Sequence, residues 1–317
     1  MVSCDLKNPD YGFNYCPSLP AAILFTVLYG LAVIGHIFLA YKYRKPFCWV
    51  LIMGGTWEFI SILTRVVLIF SPYNQPLSNV SFVFLVLAPL WINAFDYMVL
   101  GRMIYYFLPD HKVLGVRAER VAVFFITSDI TSFLIQLCGA LFAVRKNATS
   151  TTQGLHIYTA GVCIQEAVII GFFVFSIIFQ RRLPSATRSS GATKLIYVLY
   201  ASLALITYRI IFRIVEFSAG AKSSIHRAIN NHEWYVYVFD EAPMLLALVV
   251  FLIYHPGRAL KGPGSEFPKL TKEQKVARKE EKKRIKDERK IQQSGRGHMS
   301  NDSNHIGLVD TDVEARR

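Results

Sequence analysis

Residues 194–217 read KLIYVLYASLALITYRIIFRIVEF, and the fold turns on how this stretch is read. Its first half is apolar enough to enter a bilayer, while its second half carries Arg209, Arg213 and Glu216. On a helix, Ser202, Arg209, Arg213 and Glu216 follow one another at +7, +4 and +3, which gathers them on a single face. An ionisable side chain at the centre of a bilayer costs about 2.5–3.5 kcal/mol on insertion scales. Such a stripe must therefore face other protein, which requires partner helices.

The rest of the chain supplies them. Seven apolar runs, at 20–41, 47–70, 80–107, 121–144, 156–180, 193–217 and 234–255, are each long enough to cross a hydrocarbon core of about 30 Å. They occupy nearly all of residues 20–255 and leave no space for a soluble catalytic domain, in keeping with 53% hydrophobic residues and a mean hydropathy of +0.33. The expected fold is all-α: a polytopic seven-transmembrane-helix bundle with an N-terminal segment (1–19) and a basic tail (256–317). The opening MVSCDLKNPDYGFNYC (1–16) has no apolar core of a cleavable signal, so the first span is expected to direct insertion itself.

Charge sets the expected orientation. Lys and Arg in the first, third and fifth connections and the tail number twenty-six, against five in the N-terminal segment and the other connections. By the positive-inside rule the N-terminus lies outside and the tail is cytoplasmic. The net charge of +13 thus reports topology, and no nucleic-acid partner is expected. The segment KLTKEQKVARKEEKKRIKDERK (269–290) reads either as a solvated tail or as a contact for anionic inner-leaflet lipids. The sequons at Asn79 and Asn147 fall in outside connections, as possible glycosylation sites. Cys4 and Cys16 share the outside segment, where a disulfide can form, while Cys48, Cys138 and Cys163 lie in spans and read as packing residues.

Polar residues recur in every span: His36; Glu58 and Arg65; Asn93, Asp96 and Arg102; Asp129 and Gln136; Gln165 and Glu166; the stripe of span six; Asp240 and Glu241. Rise per residue puts His36, Asp96 and Asp129 toward the inner half and Glu58 near the middle. Arg65, Gln136, Gln165, Arg209, Arg213, Glu216, Asp240 and Glu241 fall in the outer half. The expectation is an outer network in which arginines of spans two and six meet carboxylates of spans six and seven, so that reversing Arg213 is rescued by reversing Asp240. It either lines a substrate path or is a structural lock. Tyr97, Tyr208 and Phe212 read as packing. Pro89 is expected to kink span three and free a carbonyl beside the cavity. Four arginines face seven carboxylates in the spans. The surplus suits a cationic amphiphile, or else some carboxyls are protonated and permit proton coupling.

Other seven-helix functions fit poorly. Span seven has no lysine for a retinal Schiff base, and His36 alone cannot build an intramembrane metal centre. No phosphate-binding G-x-x-x-x-G-K-[ST] occurs, and the places where a receptor shows DRY and NPxxY read GRMIYYF and VFLIYHP. No cofactor and no enzymatic step are expected.

Across residues 11–260 the chain resembles the fungal RTA-like proteins, the lipid-translocating exporter family. The resemblance rests on YCPSLPAAILF, His36, Glu58 with Arg65, LAPLWINAFDYMVLGR, SDITSFLIQLCGA, YRIIFRIVEF followed by Gly220, HEWYVYVFD and HPG, in that order. Ser61 and Ile62 replace an expected Gly-Tyr pair, Glu241 stands where a small residue is usual, and Glu166 where an apolar one is. The resemblance implies a plasma-membrane exporter of amphipathic lipids, such as sphingoid long-chain bases or sterol-like toxic compounds, that confers stress or drug resistance. It also assigns Glu233 and Asp240 to the signature that spans six and seven share. A seven-helix sensor that binds such amphiphiles without moving them is the alternative.

Overall fold

The computed structural model describes residues 11, 13, 15–143, 148–184, 191–218, 223–267, 280, 281 and 284. Met1–Phe267 forms one compact unit and Pro268–Arg317 another. Of the second, Glu280, Glu281 and Arg284 are described, all helical. The rest of the 269–290 segment, Cys4 and Asn147 lie outside the described residues.

Six spans are α1 (Leu19–Tyr43), α2 (Trp49–Phe70), α3 (Gln75–Phe107), α4 (Ala118–Ala143), α5 (Ala148–Arg182) and α6 (Gly191–Ser218). A short helix α7 (Ser224–Asn231) precedes the seventh span, built from α8 (Trp234–Val236), a π turn (Tyr237–Glu241) and α9 (Ala242–Ile253). All seven spans are long and apolar enough to cross a membrane. Several start earlier than their hydropathy does, because caps and turns set the true boundary. In α3 the Asn74 side chain accepts the Leu77 N–H and a proline occupies the first turn, so the helix begins at Gln75. Asn79 is therefore an exposed position of that helix rather than of a loop. A two-stranded hairpin, β1 (Lys112–Val113) with β2 (Val116–Arg117), joins α3 to α4.

Neighbouring spans pack in sequence order, and α9 closes the ring against α1. α3 runs through the middle, also touching α6 and α9, and buries Ile92, Phe95, Val99, Leu100 and Met103 completely. The outside of the bundle is apolar: on α1, Leu31, Ile34 and Phe38 are each more than 60% exposed, while His36 is 1% exposed. Polar side chains inward and aliphatic ones outward is the arrangement lipid demands. Cys138 and Cys163 also face outward, so they are surface residues of the spans, and only Cys48 packs inside.

Helices α4 and α5 approach each other closely at two glycines. A Cβ on Gly139 would lie 2.3 Å from the Tyr158 backbone nitrogen, and one on Gly161 would lie 2.7 Å from Gln136 Cγ. Small residues at such crossings let backbones meet where lipid offers no hydrophobic drive. Pro243 shapes the seventh span differently. Lacking an N–H and pressing on the preceding turn, it interrupts the ordinary α ladder, and the wider π turn over Tyr237–Glu241 lies just before it. Both Asp240 and Glu241 end up buried.

Candidate functional site

Two ionic clusters occupy the end of the bundle that carries the N-terminal segment. In the first, Asp240 is shared: Arg209 Nε donates to one carboxylate oxygen and Arg213 Nη2 to the other. Arg213 also donates to Glu216 Oε2 at 3.0 Å, one turn along α6. The +4 and +3 spacing on α6 makes this possible, because it points both guanidinium groups toward the same turn of the seventh span. Arg209 Nη2 lies 3.5 Å from the Leu85 carbonyl. That carbonyl is four residues before Pro89, whose missing N–H leaves it free.

In the second cluster Arg65 of α2 pairs with Glu233 at 3.2 Å and donates to the Tyr15 hydroxyl. The other Glu233 oxygen accepts the Ser18 backbone N–H. The guanidinium sits 5.6–5.7 Å from the centres of the Phe13, Tyr15 and Tyr237 rings. Phe13, Tyr15 and Ser18 are thus fastened over the end of the bundle, and burial holds the Tyr15 phenol above its ordinary pKa of 10.0 even though Arg65 pulls it down. Cys16, in the same segment, is disulfide-bonded.

The remaining candidates separate from these clusters. Asp96 accepts from Ser202 at 2.8 Å, and Asp129 accepts from Asn93 at 3.0 Å and from Tyr97 at 2.9 Å. Tyr97 is therefore a hydrogen-bond donor as well as a packing residue. His36 Nε2 donates to the Leu248 carbonyl at 3.0 Å, tying α1 to α9. Gln136 donates to Gln165 across the α4–α5 contact at 2.8 Å. Glu166 bonds Thr207. Glu58 is fully buried, and neither of its carboxyl oxygens has a hydrogen-bond partner.

A cavity of about 30 Å³ lies between α3, α4, α5 and α6, with Arg209, Arg213, Gln136 and Gln165 as its polar wall. Beside it an apolar groove of about 240 Å³ runs between α3 and α4, lined by Phe82, Val83, Leu87, Leu137 and Ala140. Cavity and groove share Val86, Phe133, Gln136 and Tyr158 as a common wall. Phe82, Val83 and Leu137 are 43–49% exposed on the outer surface, so the groove faces the surrounding lipid. The sequence reading passed over Phe133 and Tyr158. Tyr158 sits seven residues before Gln165, a spacing that marks one face of α5 and could have flagged it. Tyr15 and Ser18 were missed as well, because nothing local to the N-terminal segment says which helix end it covers.

The other end of the bundle is closed chiefly by hydrogen bonds to backbone and hydroxyl oxygens and by ring contacts among the described residues. Lys45 Nζ donates to Ser265 Oγ at 2.6 Å and to the Gly262 carbonyl at 3.2 Å. His255 stacks on Tyr43, and its Nδ1 accepts the Gly257 N–H at 3.1 Å. Arg102 lies 4.0 Å over the Phe47 ring and donates to the Met98 carbonyl, which makes it an anchor at that end.

A family model described as "RTA1 like protein" matches residues 51–263. Over 275 residues the chain is 38% identical to the probable lipid transporter atnI of Emericella nidulans, covering 82% of this chain and 71% of that one. It is 27% identical to Protein RTA1 of Saccharomyces cerevisiae, with 77% and 84% covered. It is 25% identical to the sphingoid long-chain base transporter RSB1 of Saccharomyces cerevisiae strain JAY291, with 83% and 77% covered. No solved structure matches the chain.

Proposed function

The chain belongs to the RTA1-like family of fungal multi-pass membrane proteins, and on that premise we propose that it moves amphipathic lipids across the bilayer. The observation that carries this reading is the lipid-facing groove set against the cavity of arginines and glutamines. An amphiphile needs both at once: an apolar surface for its chain and polar partners for a head group drawn out of the interface. The α3–α4 groove accepts the chain from the membrane side. The guanidinium and amide donors meet acceptor oxygens on the head, such as hydroxyls.

A head that also carries an ammonium has a further partner available. Asp240 binds it in place of the Arg209 guanidinium, while Arg213 keeps Glu216. This is why a sphingoid long-chain base is the substrate class we favour, in line with the sphingoid long-chain base transporter among its relatives. Export of such a lipid or of a sterol-like toxic compound across the plasma membrane would confer resistance. We place the N-terminus outside and the tail in the cytoplasm on the basic residues of the connections. In that orientation the 269–290 segment meets anionic inner-leaflet head groups. The activity is transport with no covalent step.

The test is reconstitution in liposomes with a fluorescent long-chain base, comparing the native chain with Val83→Trp and Leu137→Trp. Both replacements fill the groove from its lipid side and touch no charge. Movement in the native chain that both variants lose while remaining folded supports the reading. Saturable binding with no movement would instead make the protein a sensor of the same lipid.

A further inference from the structure

Of the buried carboxyl groups outside the ion pairs, Asp96, Asp129 and Glu166 accept side-chain hydrogen bonds, which leaves Glu58 and Glu241. Glu58 of α2 is 0% exposed and has no hydrogen bond at either oxygen; Glu241 of the π turn is 1% exposed, with Oε2 unpartnered. The Tyr29 hydroxyl donates to the Glu241 backbone carbonyl at 2.8 Å, which holds α1 against the turn. The groups that face Glu58 are Glu241 and Asp240 from the seventh span and Arg209 and Arg213 from α6. Tyr29 faces it from α1. Elsewhere on its neighbours, His36 is bonded to Leu248 and Asp96 of α3 to Ser202. Both arginines are committed to Asp240.

A buried carboxylate without a partner costs several kcal/mol even after relaxation, and a second one facing it adds repulsion. Neutral carboxylic acids avoid both costs, so in this arrangement the pair holds protons while Asp240 holds the arginines. The arrangement becomes unstable once a cationic head takes Asp240. The displaced guanidinium of Arg209 then needs an anion, and Glu58 and Glu241 are the carboxyls that face it.

We propose that Glu58 and Glu241 form a proton-binding pair that releases a proton when a lipid head displaces Arg209 from Asp240, so that lipid movement is exchanged for proton movement. The only bond made and broken is a carboxyl O–H, with water on either side of the membrane as proton donor and acceptor. The proposal rests on the lipid-moving reading above and adds its driving force.

Two measurements test it. Infrared difference spectra of the purified chain report protonated carboxyl groups directly, whether or not lipid moves. The native chain is expected to show a protonated-carboxyl band that shifts in D2O and is reduced in both Glu58→Gln and Glu241→Gln. No such band in the native chain, or a band that neither substitution changes, overturns the proposal. Should the variants fail to fold, the native band and the second measurement stand without them.

The second uses the native chain alone in liposomes under an imposed pH difference. Its probe is a labelled single-chain lipid with a quaternary ammonium head, whose charge does not follow pH. One-for-one exchange shifts the steady-state leaflet ratio by about tenfold per pH unit. Lipid that equilibrates equally at every pH difference overturns the coupling while leaving the transport reading intact. No movement of this lipid or of a long-chain base would overturn both.

Discussion

Asp240 and Glu58 are buried carboxyl groups in the same bundle, and the protein treats them in opposite ways. Asp240 is surrounded by two guanidinium groups that use both of its oxygens. Glu58, which faces the same arginines, has no partner on either oxygen. The difference teaches that the arginines of α6 are a shared and limited resource. Two positive charges serve Asp240 and Glu216, and the carboxyls of Glu58 and Glu241 are left to stay neutral. A bundle arranged this way is poised for exchange, since any change at Asp240 alters what the arginines require.

Replacing Asp240 with Asn attacks the paired side of this contrast and carries the largest expected effect. Arg209 loses the carboxylate it pairs with and Arg213 is left with Glu216 alone of its two, and removing one member of such a buried cluster costs about 3–5 kcal/mol. The purified variant should melt at markedly lower temperature and lose lipid movement. The Arg213→Glu, Asp240→Arg double reversal, which the sequence alone suggests as a rescue, is expected to fail just as badly. Asp240 is shared, so its reversal places an arginine against Arg209; a rescued melting temperature would show that Arg209 is not part of the cluster.

A smaller loss follows from Gly161→Val. The added side chain meets the Gln136 backbone, and overpacking of this kind costs about 1–3 kcal/mol. It should separate α4 from α5 and break the Gln136–Gln165 bond, visible as a lower melting temperature and weaker lipid binding.

Glu58→Gln sharpens the unpaired side. A neutral amide replacing a neutral acid of the same shape removes no charge and should cost less than the about 3–5 kcal/mol expected at Asp240. If thermal melting shows a large stabilisation instead, Glu58 is ionised in the native chain and the contrast collapses.

The smallest effect is alkaline and concerns Tyr15. Its phenol binds its proton more tightly in the folded chain than its ordinary pKa of 10.0 implies, chiefly through burial. The stability it contributes is therefore complete below pH 10 and is lost as pH rises above that value. Melting of the native chain and of Tyr15→Phe should diverge in slope only above about pH 10, with the native chain falling faster.

Much of this was written in the order of residues. The stripe Ser202, Arg209, Arg213, Glu216 announces one buried face of α6, and Pro89 announces a free carbonyl four residues earlier. Glu241 was harder to read. On a regular helix it falls about 100° away from Asp240, and only the π turn before Pro243 shows how both are accommodated inside. The groove was not legible at all, because Val83 and Leu137 look like any other lipid-facing residues until α3 and α4 are seen side by side.

By itself the sequence determined the seven spans and the inward faces of several, because apolar length and helical period are local properties that the cost of charge in lipid enforces. Which carboxyl meets which arginine was decided only by the tertiary structure. Arg65 and Glu233 are 168 residues apart, and Arg209 and Asp240 are 31 apart. Such pairings follow from the rotation and depth at which whole helices pack, and that packing is the sum of all their contacts at once.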